Sequence, residues 1–316
     1  MRRRGHAQKG LEAGAVNRES EKPGALKAWF LAARPKTLSA AAVPVIVGGS
    51  LARADGFFEP AAVALCFGFA FLMQICANLI NDLIDFKKGS DGEGRIGPRR
   101  ACAQGWISPG SMRAGIAIFA FCAAACGCGL LFYGGAELAL VGAACMVFAY
   151  FYTGGPFPLS ERGLGDVAVV AFFGFVPVCF TYYVCAGAVT ARVLAAALAC
   201  GLVVDTLLVL NNYRDRFQDA ENGKRTTVVL FGGRVGSAMY LCFGAAACII
   251  CAAFFWENLW GALFPQLYLP VHAAVWAEML RAKTPEEYGA ALAGTARNML
   301  LFGLLLGIGI LLPAPF

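Results

Sequence analysis

Two stretches of the sequence concentrate amide and carboxylate side chains at helical spacing. The first reads Asn78-Leu-Ile-Asn81-Asp82-Leu-Ile-Asp85-Phe-Lys-Lys88-Gly-Ser-Asp91, the second Asn211-Asn212-Tyr-Arg-Asp215-Arg-Phe-Gln-Asp219-Ala-Glu-Asn-Gly-Lys224-Arg225. Asn78, Asp82 and Asp85 share one helical face, as do Asn212, Asp215 and Asp219. Carboxylates crowded in this way repel one another, and the repulsion is poorly screened where an apolar helix leaves a membrane. A divalent cation between them turns the repulsion into attraction. Oxygen ligands without nearby His or Cys favour Mg²⁺ over zinc. Basic residues just beyond the acids (Lys87, Lys88, Arg95, Arg99 and Arg100; Lys224 and Arg225) suit the remaining charge of a bound polyanion. The expected ligand is therefore a metal-bound diphosphate. A single such cluster would fit a solvated loop whose acids and bases pair with each other; two on one membrane face argue against that reading.

The elements that must position these clusters are membrane helices. Of the 316 residues 59% are hydrophobic and 15% charged, with mean hydropathy +0.64, whereas a soluble domain carries about 25% charged residues. Hydropathy predicts an all-α, polytopic membrane protein of about nine spans, near 38–54, 61–84, 113–133, 136–152, 165–185, 190–211, 236–256, 259–280 and 297–313. With this count, 24 of the 26 Lys and Arg fall on one side, leaving Arg53 and Arg192 on the other. The N-terminus and both clusters are thereby expected in the cytoplasm and the C-terminus outside. The matching patterns Asn78-x-x-x-Asp82 and Asn211-x-x-x-Asp215 hint at a duplicated unit four helices long.

Residues 1–28 are expected to form a basic, disordered cytoplasmic arm ahead of a transmembrane domain over 29–316. The first 36 residues hold nine Lys/Arg against three acids, while the rest of the chain balances at 17 of each. Anionic membrane lipid is the expected partner of this arm, and no nucleic acid is expected. A secretory signal is not expected, since the arm is long and contains acids. The thirteen cysteines lie mostly inside apolar spans and are expected to be free. His6 and His272 stand alone, which gives no basis for histidine chemistry.

Four segments carry a family resemblance: Ala33-Arg-Pro-Lys-Thr-Leu38, Asn78–Asp91 running into Arg95-Ile-Gly-Pro98, Tyr152-Thr-Gly-Gly-Pro156 through Gly163-Leu-Gly-Asp166, and Asn211-Asn-Tyr-Arg-Asp215 through Gly223-Lys224. Together they resemble the UbiA superfamily of intramembrane prenyltransferases, and within it the 1,4-dihydroxy-2-naphthoate polyprenyltransferase branch. The resemblance implies a central cavity among the helices and a bacterial cell membrane location. It also implies Mg²⁺-dependent transfer of a polyprenyl group from polyprenyl diphosphate to 1,4-dihydroxy-2-naphthoate, with loss of CO2 and diphosphate, giving demethylmenaquinol. The implied catalytic residues are Asp82, Asp85, Asp215 and Asp219, with Asp91 joining them as metal ligands. Asn78, Asn81, Lys88, Arg95, Asn211, Asn212, Lys224 and Arg225 would bind the diphosphate.

Arg34 and Lys36 fit either a substrate carboxylate or lipid headgroups, and Tyr150, Tyr152, Phe148 and Tyr213 are candidates by position to stabilise a carbocation, the alternative for each being a lipid-facing or core ring. Asp205 is an acid two turns inside a span, which points to a function or to an interhelical hydrogen bond. Asp166 opens a span and suits a helix cap. The alternatives are another aromatic acceptor, such as 4-hydroxybenzoate, a quinone-binding protein without turnover, and a cation-coupled transporter. Transporters hold acids near the bilayer midplane, whereas here only Asp205 is deep.

Overall fold

The computed structural model describes residues 22–89, 97 and 99–313. All regular elements among them are helical: α1 Ala25–Ala33, α2 Leu38–Ala54, α3 Pro60–Lys88, α4 Pro109–Gly134, α5 Leu138–Phe151, α6 Gly165–Ala186, α7 Ala191–Glu221, α8 Thr227–Phe231, α9 Gly233–Phe254, α10 Leu259–Leu263, α11 Tyr268–Arg281 and α12 Pro285–Leu311. Seven runs are long and apolar enough to cross a membrane, α1 and α2 counting as one across the short Pro35–Thr37 turn. The two other expected spans take a different form. One is the 14-residue α5. The other is broken into α10, a 3₁₀ turn at Phe264–Leu267 and α11, where Pro265 cannot donate to the helix ladder. The domain boundary expected at residue 28 falls inside α1, while residues 1–21 lie outside the described set.

Expected spans ended at 84 and 211, but α3 and α7 run on to Lys88 and Glu221. Both clusters therefore sit within continuous helix, and their side chains are fixed by the helical register. Thr190 caps α7 by accepting from the Val193 amide, and Gly89 ends α3 in the left-handed conformation.

Helix α7 is the hub, packing against α2, α6, α8, α9 and α12. Its Ala196, Cys200 and Val203 are buried against Val43 and Val47 of α2, Val178 of α6, Cys251 of α9 and Phe302 of α12. Small residues let the backbones meet, as expected where lipid removes the hydrophobic drive between helices. A Cβ on Gly174 would stand 2.5 Å from the Ala197 carbonyl oxygen and 2.8 Å from Gly201 Cα. Gly174 lies in a π-helical turn, Val170–Phe175, that interrupts α6 at this crossing. Phe132 and Leu140 point outward, 91% and 76% exposed, as lipid-facing side chains would.

His272 is a packing staple. It lies between the rings of Tyr240 and Tyr268, centroids 4.6 and 4.8 Å away. Its Nε2 donates to the Tyr240 carbonyl, so Nδ1 accepts from the Tyr268 hydroxyl, each at 2.9 Å. All thirteen cysteines are free.

Gly174→Val places side-chain carbon against backbone, where neither helix can yield. A loss of about 1–3 kcal/mol or more is expected, read as a lowered thermal midpoint in detergent; a midpoint equal to wild type would show that the crossing is not tight.

Candidate active site

One large cavity, about 800 Å³, opens among α2, α3, α5, α6 and α7. Apolar side chains including Met73, Phe148, Phe172 and Phe180 line its body, and both polar clusters line its other end.

In the first cluster, Asp85 pairs with Arg100 at 3.0 Å and the same guanidinium donates to Asn81 Oδ1 at 3.2 Å. Asp82 also lines the cavity and carries a second task. Its two oxygens accept from the backbone amides of Ala101 and Cys102 at 2.9 and 3.0 Å, and the residue is 1% exposed. Ala101 and Cys102 also join Leu79 and Leu83 of α3 in an apolar cluster. Asp82 thus staples the loop carrying Arg100 onto α3, a role invisible in the one-face spacing.

Asn78 is equally structural. Its Nδ2 donates to the Ala33 carbonyl and to Thr37 Oγ1, both at 3.0 Å, fastening the turn between α1 and α2 onto α3. Within that turn Arg34 takes φ 52°, ψ 69°, the left-handed region that no other described non-glycine residue enters. The conformation costs about 1–2 kcal/mol. It is held because Thr37 donates to the Arg34 carbonyl through both its amide and its hydroxyl. Arg34 and Lys36 line the cavity as a result.

In the second cluster, both oxygens of Asp215 accept from Arg214 at 2.6 Å. Asp219 pairs with Lys224 at 3.2 Å, and the Lys224 amide closes the end of α7 on the Asp219 carbonyl. Asn211 Nδ2 bonds its own helix at the Leu207 carbonyl, and Asn212 lines the cavity. Burial pulls the Lys224 ammonium down, but the carboxylates of Asp219 and Asp85 outweigh it, with help from Glu161, and its pKa is raised. Lys224 therefore stays charged and electrostatically joins the two clusters.

Several expected site residues lie elsewhere. Lys88 donates to the Thr153 carbonyl at 2.8 Å and to Glu161 at 2.6 Å, bracing the loop after α5 instead of facing the cavity. Arg225 and Tyr150 are exposed and off the cavity wall. Tyr213 is also off the wall and stacks under Arg216. Tyr152 and Phe148 do line the cavity. Asp205 is fully buried behind the wall, and neither of its oxygens has a hydrogen-bond partner, so the interhelical bond expected for it does not form. Asp166 accepts from Thr227 at the start of α8. Asp91 and Arg95 lie outside the described residues.

Among the described residues, no group of three or more His, Cys, Asp and Glu stands together as a metal cluster. The carboxylates are neutralised by Arg100, Arg214, Lys224 and the Asp82 amide bonds, so a cation is not the sole relief of their repulsion as the spacing implied. The donor set at this end still fits Mg²⁺. Asn81, Asp85, Asn211, Asn212, Asp215, Gln218 and Asp219 offer hard oxygens; no His lines the cavity, and its lining cysteines are Cys66 of α3 and Cys145 of α5. Gln74, Thr37, Arg214, Gln218 and Asn222 also line the cavity and were not singled out in the sequence. Gln74 was within reach, being one turn before Asn78 on the same face.

The fold and this site define an intramembrane prenyltransferase: the UbiA prenyltransferase family profile matches residues 41–301, and the chain belongs to that family. It is an integral membrane protein. A curated relative is the 1,4-dihydroxy-2-naphthoate octaprenyltransferase of Escherichia coli K12, 34% identical over 296 residues, covering 90% of this chain and 96% of that one. Among solved structures, a UbiA homologue from Aeropyrum pernix K1 matches with TM-score 0.66 at 18% identity, over 87% of this chain and 96% of that one. A UbiA homologue from Archaeoglobus fulgidus bound to DMAPP and Mg²⁺ matches with TM-score 0.61 at 15% identity, over 90% and 98%.

The two aspartates separate by substitution. Asp82→Asn leaves one loop amide facing another donor, and should cost about 1–3 kcal/mol of stability, seen as a lower thermal midpoint in detergent. Asp215→Asn weakens the part-exposed Arg214 pair and should lower the midpoint less, while prenyl transfer falls at least a hundredfold. An Asp82→Asn midpoint equal to wild type would contradict the staple.

Proposed function

We propose that the protein transfers a polyprenyl group from polyprenyl diphosphate to 1,4-dihydroxy-2-naphthoate, releasing CO2 and diphosphate and forming demethylmenaquinol. The observation that carries this reading is the meeting of two oxygen-rich helix ends at Lys224, at the polar end of an apolar cavity. The naphthoate acceptor is supported by the E. coli relative's name and the extent of its similarity.

In this reading Asp82, Asp85, Asp215 and Asp219, with Asp91, would hold Mg²⁺, which when bound stabilises negative charge on the departing diphosphate. Arg100, Arg214 and Lys224 exchange carboxylate for phosphate oxygens as the diphosphate enters, each already oriented toward the cavity by its present partner. Asn81, Asn211 and Asn212 offer amide groups to the same oxygens. The apolar wall keeps water from the allylic cation, and the faces of Phe148, Phe172 and Tyr152 stabilise it by their quadrupoles. Arg34 and Lys36 receive the acceptor's carboxylate at the α1–α2 turn.

The distribution of Lys and Arg supports a bacterial cell membrane orientation with the polar end of the cavity and the N-terminal arm in the cytoplasm, the arm against anionic lipid, and the C-terminus outside.

Membranes containing the protein, given polyprenyl diphosphate, Mg²⁺ and equal 1,4-dihydroxy-2-naphthoate and 4-hydroxybenzoate, should yield only the prenylated naphthoquinol. Chelation should abolish turnover and added Mg²⁺ restore it. A prenylated benzoate would overturn the acceptor assignment, and chelator-resistant turnover the metal assignment.

A further inference from the structure

One carboxylate beside Lys224 belongs to neither helix cluster. Glu161 lies in the 3₁₀ turn Leu159–Glu161 of the loop after α5 and lines the cavity, as Thr153 does. Lys88, at the end of α3, donates to Glu161 Oε1 at 2.6 Å and to the Thr153 carbonyl at 2.8 Å, yet is not itself on the cavity wall. Its ammonium is therefore held directly behind two residues that a ligand would meet. Glu161 is also one of three carboxylates, with Asp219 and Asp85, that act on Lys224. In the pairs Asp85–Arg100, Asp215–Arg214 and Asp219–Lys224 both members line the cavity. Here the carboxylate alone does, and it covers the cation.

The loop keeps its shape by other bonds as well. The Ser160 amide donates to the Tyr152 carbonyl, and the Arg225 amide donates to the Glu161 carbonyl, both at 2.9 Å. Lys88 would keep its bond to Thr153 if the Glu161 side chain turned away. The ion pair is part-exposed, with 32% of the Lys88 side chain and 23% of the Glu161 side chain accessible, so parting it costs little. A long side chain on a fixed backbone can thus release its cation without loosening the loop. Its charge nevertheless has a consequence for an anionic ligand. A carboxylate on the wall repels that ligand and occupies an ammonium that phosphate oxygens could use.

We propose that Glu161 competes with the diphosphate for Lys88. In the empty site its carboxylate holds the ammonium. Arriving phosphate groups take Lys88 over, and Glu161 takes it back as diphosphate leaves. The side chain thereby lowers affinity for substrate and product diphosphate alike and speeds release. This rests on the diphosphate reading above and adds the residue that sets how tightly the diphosphate is held. Glu161 makes and breaks no covalent bond; it acts through Lys88 as a positioning residue.

The test measures binding of inorganic diphosphate with Mg²⁺ to the full-length protein in detergent by calorimetry, together with steady-state kinetics. Glu161→Gln keeps the side chain's shape and removes its charge. It should bind diphosphate about threefold to fivefold more tightly than wild type. It should also lower KM for polyprenyl diphosphate by a similar factor and leave KM for the naphthoate unchanged. Glu161→Ala, which removes the competitor altogether, should act in the same direction. Lys88→Met should weaken diphosphate binding, and in that background Glu161→Gln should no longer tighten it. A role confined to bracing the loop predicts the opposite sign, so weaker or unchanged diphosphate binding in the Glu161 variants would overturn the proposal. Equal tightening with and without Lys88 would overturn it too, since the carboxylate would then act by repulsion alone. Wild type that binds no diphosphate would instead overturn the diphosphate reading itself.

Discussion

Carboxylates at the end of an apolar helix bundle need cations or amide donors at hydrogen-bond distance to remain charged, and much of the site follows from that constraint. Desolvation raises the cost of each negative charge, while low screening raises the attraction of each nearby positive one. Asp85, Asp215 and Asp219 each have a dedicated partner in Arg100, Arg214 and Lys224. The pairs are balanced, so the unliganded site is stable, and the cations that balance them are the groups a diphosphate would recruit. Lys224, kept charged by carboxylates from both clusters, couples the end of α7 to the end of α3.

Holding those pairs in register requires loops that do not drift, and buried polar side chains supply the anchors. Asp82 pins the Arg100 loop through two backbone amides, Lys88 and Glu161 brace the loop after α5, and Asn78 fastens the α1–α2 turn. That last turn stores strain at Arg34, which persists because Thr37, Gln74 and Asn78 over-determine it. Residues that look alike in the sequence thus share the cavity wall but differ in what else they hold. Asn78, Asn81, Asp82 and Asp85 all line the cavity, and Asn78 and Asp82 also fasten neighbouring segments to α3.

The bundle makes this division possible by letting α7 pass through its centre. Close crossings at Gly174 and Gly201 bring α6 against α7 backbone to backbone, and further along α7 Val204, Leu208, Asn211 and Asp215 line the cavity. Asp205 sits behind that wall with no partner, and the structure gives no physical reason for its presence there.

The sequence by itself determined the all-helical membrane class, the placement of most spans, the two oxygen-rich clusters and the family, because hydropathy and helical spacing are local properties carried by neighbouring residues. It could not determine which carboxylate faced a loop amide and which an arginine, since Asp82 and Asp85 differ only in what a segment some twenty residues away brings to them. Nor could it place Lys88 and Arg225 outside the cavity, or break the eighth span at Pro265. Those outcomes depend on hydrogen bonds between segments far apart in the chain. Only the packed structure decides them, because a side chain's role is set by the partner that tertiary folding delivers to it.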